Sequence, residues 1–138
     1  MKIKKCFYIV IILILLIASS ACFRAREKEY YSNQNNYIED TATIKNIIYV
    51  KEDNKIYLWL SNYNDAFQDS TFIIKGDSTN VVLQNQILSK LKIGDEIVYT
   101  SAPEYFGDGY CMPIVAISAN GESLLDFNEG YKNLNELY

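Results

Sequence analysis

The sequence predicts a mainly β domain, with five strands, one helix inserted between the third and fourth strands, and a short helix after the last. Three observations carry this. Apolar residues alternate with period two in short runs after residue 42. A single internal stretch, Leu83, Ile87 and Leu91, repeats at four-residue spacing instead. The first 21 residues have the basic, apolar, small-residue order of a secretory signal and do not belong to the domain. Once they are subtracted, 138 residues leave room for one ordinary domain.

The leader begins with Lys2, Lys4 and Lys5, continues through the uncharged run from Cys6 to Ala18, and ends in Ser19, Ser20 and Ala21. A bilayer-spanning helix needs about 20 apolar residues, and this run approaches that length only by extending to Phe23. A retained spanning anchor is therefore the second choice. The stretch Ala18-Ser19-Ser20-Ala21-Cys22 resembles the lipobox of bacterial lipoproteins, in which the cysteine receives a diacylglycerol thioether and the peptide before it is removed. It departs from that pattern at Ser19, where leucine is usual, and plain export with cleavage after Ala21 is the simpler alternative. The resemblance implies lipid on Cys22, a location at the cell membrane or outer membrane on the extracytoplasmic side, and the membrane itself as one partner. A lipoprotein carries at least two acyl chains, enough for stable anchoring.

Removal of three lysines takes the formal charge from −4 to −7. Such an acidic domain repels polyphosphate, and no nucleic-acid partner is expected. The only local cluster of cations, Arg24, Arg26 and Lys28, lies beside the lipid site, where headgroups are the natural contact. Residues 22–41 read as a flexible tether, because Arg24 to Glu29 are charged and Ser32 to Asn36 have little to bury. Tyr30, Tyr31, Tyr37 and Ile38 are the residues of this stretch able to pack on a domain spanning 42–138.

In the first strand, from Thr43 to Val50, Ile44 and Ile48 share one parity and Ile47 and Tyr49 the other. After the charged turn Lys51 to Lys55, the second strand puts Ile56, Leu58 and Leu60 on one face and Tyr57 and Trp59 on the other, making a hairpin. A third strand runs from Thr71 to Lys75. Gly76 to Thr79 supply a turn and helix caps, and the helix ends at Lys92-Ile93-Gly94-Asp95. The fourth strand spans Glu96 to Ser101 and the fifth spans Tyr110 to Ser118, followed by the Asn120-Gly121 turn. From Leu124 onward, Phe127, Tyr131, Leu134 and Tyr138 lie near helical spacing and would close an open end of the domain, although Gly130 interrupts them.

This order of elements resembles the OB-fold, a small five-stranded Greek-key barrel whose helix lies between strands three and four. The passage Leu91-Lys92-Ile93-Gly94-Asp95-Glu96-Ile97 is similar to the turn that feeds strand four in many OB domains. Another small β-barrel or an α+β sandwich would give the same spacing, and fold does not carry function.

The chain has no histidine, so Ser-His-Asp catalysis, Cys-His catalysis and histidine-ligated metal sites are all excluded. No cofactor or metal is expected. Cys111 falls in a strand, where a lone cysteine behaves as a small buried hydrophobe. Glu104 and Asp108 are the one carboxylate pair able to do acid and base work, as a tethered hydrolase would require, but acids in a Gly-Asp-Gly turn ordinarily form solvated turns. Asn62, Asn64, Asp65 and Asp69 lack the spacing of a calcium loop. What remains is aromatic. Tyr49, Tyr57 and Trp59 are expected on the outward face of strands one and two, and Tyr105, Phe106 and Tyr110 in the loop between strands four and five. In an OB-fold those regions form the ligand surface, which here would suit a sugar, a peptide or a protein. A purely structural envelope protein is the remaining alternative.

Overall fold

The computed structural model describes residues 2–62, 67, 71–75, 81–104 and 111–136. Its elements are α1 (Lys2–Ser32), a 3₁₀ turn (Gln34–Asn36), β1 (Ile38–Val50), β2 (Lys55–Asn62), β3 (Thr71–Lys75), α2 (Val81–Lys90), β4 (Glu96–Ser101), β5 (Cys111–Ala119), β6 (Glu122–Leu125) and α3 (Phe127–Asn135).

Pairing is antiparallel in the order β3-β2-β1-β4-β5-β6, and a parallel β3–β5 contact, from Thr71–Cys111 to Ile73–Pro113, closes the sheet. Five strands therefore form a ring in the order β1-β2-β3-β5-β4, with α2 between β3 and β4. This is the OB-fold-like, mainly β barrel that the spacing predicts. The turn into β4 is tied to β1, because Gly94 N–H donates to Ile44 O (2.8 Å) and Ile44 N–H to Asp95 O (2.9 Å). The carboxylate of Asp95 accepts from Lys92 N–H at 2.9 Å, which fixes the aspartate in that turn.

The barrel interior holds Ala42, Ile44, Ile56, Leu58, Leu60, Phe72, Ile74, Ile97, Tyr99, Met112, Ile114 and Ile117, all buried. Phe67, from the β2–β3 connection, packs on Phe72 and Tyr99 with ring centroids 5.6 Å apart in each pair. From α2 come Ile87 and, just past its end, Leu91, both buried as the four-residue spacing predicts, and the amide of Gln84, only 1% exposed, which donates to Ile74 O. Burying each such aliphatic side chain contributes about 1.5–3 kcal/mol.

Four features differ from the sequence expectation. A sixth strand, β6, follows the turn at Asn120 (φ 53) and Gly121 (φ 77), whose paired positive φ angles suit a two-residue hairpin loop. α3 does not close an end of the barrel. It lies against the outer side of β5, and Gly130 makes this possible, since a Cβ there would stand 1.9 Å from Val115 O. The 22–41 segment is not a loose tether. α1 continues to Ser32, Tyr31 is 2% exposed, and β1 already begins at Ile38. Finally, β1 carries a bulge at Lys45, between Ile44 and Asn46.

A second, smaller core, made of Tyr31, Ala102, Val115 and Leu134 with Tyr30, Tyr37 and Phe127 around it, joins α1, the end of β4, β5 and α3. The last carbonyls of a helix have no partner within it, and here the domain supplies them. Tyr30 O accepts from Asn36 Nδ2 (2.9 Å), Tyr31 O from Tyr37 Oη (2.7 Å) and Asn135 Nδ2 (3.2 Å), and Ser32 O from Tyr131 Oη (2.6 Å). The Tyr31 hydroxyl donates to Glu104 O at 3.2 Å. α1 is thus capped by Asn36 of the 3₁₀ turn, by Tyr37 just before β1, and by Tyr131 and Asn135 of α3.

Candidate ligand-binding face

Side chains alternate across a strand, and one extra residue reverses the alternation beyond it. Before the bulge, Ala42 and Ile44 point inward. After it, Tyr49 stands opposite buried Ile56 and Ile47 opposite buried Leu58, and both pack on the interior cluster. Tyr49 therefore does not belong to the outward aromatic face, which is a correction to the parity expectation. Ile48 takes its place: it pairs with Tyr57 across the β1–β2 ribbon and is 54% exposed. Trp59, two residues further along β2, is 60% exposed between Asn46 and Thr71.

Ile48, half-buried Tyr57 and Trp59 form a convex apolar patch on the barrel wall. At about 3.3 Å per residue, Ile48 lies some 33 Å of strand beyond Ile38, where β1 leaves the capped end of α1. The patch consequently occupies the part of the ribbon remote from the N-terminal helix. Cavities of about 500 Å³ beside the Gly94–Val98 and Ser118–Gly121 segments and about 360 Å³ between α2 and β6 lie elsewhere. Tyr105, Phe106 and Tyr110 are outside the described residues.

A polar cluster of buried Tyr99 with half-buried Asp40 and Asn62 lies at the wall of the barrel. Tyr99, 1% exposed, donates from its hydroxyl to Asp40 Oδ2 at 3.3 Å and accepts from Asn62 Nδ2. Burial, then the negative charge of Asp40, raises the Tyr99 phenol well above its ordinary value. Asn62 thus stands at the end of β2 with its amide on Tyr99; Asn64, Asp65, Asp69 and Asp108 fall outside the described residues. Among the described residues, no three of His, Cys, Asp and Glu gather as a metal site. Glu104 contributes its backbone oxygen to Tyr31.

Cys22 is exposed on α1 and Cys111 is buried, and no disulfide joins them. α1 is long and apolar enough over Phe7–Ser32 to cross a membrane, and none of its most apolar window is buried against the domain. The N-terminus therefore carries a single apolar helix of the signal or membrane-anchor type. No family model, no curated protein and no solved structure matches this chain.

Proposed function

We propose that this chain is a lipid-anchored binding module on the extracytoplasmic side of a bacterial membrane, and that Ile48, Tyr57 and Trp59 contact its ligand. The observation that carries this reading is the exposure of Trp59, 60%, beside Ile48 on a rigid barrel wall, since a contiguous exposed apolar patch marks an interaction surface. Aromatic faces of this kind suit a sugar ring, a peptide or a protein segment, and the acidic balance of the domain disfavours nucleic acid. Cys22, exposed where the apolar run gives way to charged residues, is the lipid site on this reading.

Trp59 is the sole tryptophan, so its emission reports on the patch directly. Titration of the full chain with chitotetraose, maltoheptaose and an extended tyrosine-rich peptide is expected to give a saturable emission shift with one of these classes, lost in Trp59→Ala without loss of thermal stability. An emission spectrum indifferent to every probe would sink the ligand face. Intact mass of the native protein tests the anchor separately: a chain beginning at Cys22 with a diacylglycerol adduct supports it, and an intact leader or an unmodified Cys22 refutes it.

A further inference from the structure

Where α1 meets the domain, a concavity of about 290 Å³ is lined by Arg26, Glu29, Tyr30, Asn33 and Asn36. Arg26, Glu29 and Tyr30 lie at i, i+3 and i+4, one face of the helix, and Asn33 follows just past its end. Arg26 and Glu29 are both exposed, and among the described residues no ion pair joins them or engages either one. The groove thus offers one cation and one anion, while the amides of Asn33 and Asn36 are engaged at the helix end, Asn33 Oδ1 by Asn35 N–H (3.1 Å) and Asn36 Nδ2 by Tyr30 O (2.9 Å).

Its position relative to the bilayer is set by the helix. With 1.5 Å of rise per residue, Arg26 stands about 4.5 Å beyond Phe23, Glu29 about 9 Å and Tyr30 about 10.5 Å. The headgroup layer on each side of the hydrocarbon core is about 5 to 7 Å deep. Whether the apolar run spans the membrane or acyl chains on Cys22 take its place, the boundary with hydrocarbon falls at Cys22–Phe23. Arg26 then lies within the headgroup layer and the Glu29 backbone about 2–4 Å outside it, from where its carboxylate reaches back toward the layer because helical side chains tilt toward the N-terminus. At the joint, hydrogen bonds to the carbonyls of Tyr30, Tyr31 and Ser32 tie this end of the helix to the domain.

We propose that this groove is a subsite for a phosphoethanolamine headgroup of the surrounding membrane, with Arg26 holding the phosphate and Glu29 the terminal ammonium. The order of charges along the helix matches the lipid, in which phosphate lies deep and amine outermost. A guanidinium suits phosphate by paired N–H donors. A carboxylate suits a primary ammonium with three donors better than a trimethylated one with none. The amides of Asn33 and Asn36 and the Tyr30 phenol line the remainder. This inference rests on the anchoring proposed above and adds to it the lipid that the anchor selects.

The test uses the full chain reconstituted in vesicles of equal phosphatidylcholine, phosphatidylethanolamine and phosphatidylglycerol, recovered in mild detergent and weighed with its bound lipid by native mass spectrometry. One phosphatidylethanolamine per chain is expected, at least five-fold over either competitor. Arg26→Gln should lower retention of all three about ten-fold. Glu29→Gln should abolish the preference for ethanolamine over glycerol while leaving phosphatidylglycerol retention in place. Both variants alter exposed residues, and unchanged melting confirms their fold. Equal retention of the three lipids, or undiminished retention in Arg26→Gln, overturns the subsite. Dissolved phosphoethanolamine at the same concentration should displace nothing, and displacement would assign the groove to a solute instead of the bilayer. Flotation separates the two claims: a chain that fails to float with vesicles overturns the anchor and the subsite together, whereas one that floats without lipid preference overturns the subsite alone.

Discussion

Adding one methyl group at Gly130 tests how α3 is held. In an exposed helix, Gly→Ala gains about 1 kcal/mol from propensity. Here the new Cβ would stand 1.9 Å from Val115 O, 2.6 Å from Val115 C and 2.7 Å from Val115 Cα. Those are backbone atoms of a strand that is hydrogen-bonded in the barrel, so they cannot swing aside. Ordinary contact begins near 3.4 Å, so α3 must retreat by about 1.5 Å. Leu134, 3% exposed, and Tyr31, 2% exposed, then lose much of their contact with Val115 and Ala102. Loss of about half the burial of two side chains, each contributing about 1.5–3 kcal/mol in full, amounts to about 1.5–3 kcal/mol. The propensity gain offsets about 1, leaving a net destabilisation of about 0.5–2 kcal/mol. For a domain of this size that corresponds to a fall in Tm of roughly 2–8 °C. Thermal unfolding of the full chain in detergent, followed by circular dichroism, is the assay. Glu129→Ala, on the exposed side of the same helix, is the control and should change stability by less than about 0.5 kcal/mol. A Gly130→Ala protein as stable as the parent, or more stable, would refute the close approach of α3 to β5.

Trp59→Ala should cost less than about 0.5 kcal/mol, while its neighbour Leu58→Ala, fully buried, should cost about 2–5 kcal/mol in the same urea titration. Tyr99→Phe removes a hydroxyl that serves both Asp40 and Asn62 and should cost about 1–2 kcal/mol at neutral pH. The folded state holds the Tyr99 proton above the pH, near 10, at which the unfolded chain releases it, so this residue's contribution is complete below pH 10 and falls as pH rises further. Stability measured from pH 8 to 11 should consequently decline less steeply in Tyr99→Phe than in the parent, and identical slopes would rule out that linkage. Tyr131→Phe, which uncaps Ser32 O, should lose about 1 kcal/mol and raise hydrogen exchange in the last turn of α1.

The fold was legible because local pattern and tertiary role agree over most of the barrel. β3 and β4 have the ends that their apolar alternation suggests, and Ile87 and Leu91 are buried where four-residue spacing places them. The Gly94-Asp95 turn lies where an OB-like passage requires it. The aromatic face was only partly legible. Tyr57 and Trp59 point outward as parity demands, but the bulge at Lys45 leaves no mark in composition, and it exchanges Tyr49 for Ile48. β6 was hidden because Leu124 also fits the helical spacing of the residues after it. The end of α1 was misread for another reason. Asn- and Ser-rich stretches look unable to bury anything, yet the partners of Tyr31 and Ser32 include Tyr131 and Asn135, about a hundred residues away. No local window contains both.

That separation has a mechanical consequence. The small core and the bonds to Tyr31 O and Ser32 O clasp the end of α1 to α3, a helix about a hundred residues further along the chain. A pull along the stalk is therefore shared between the backbone link into β1 and this lateral clasp, so load enters the barrel through two strands, β1 and β5, instead of one.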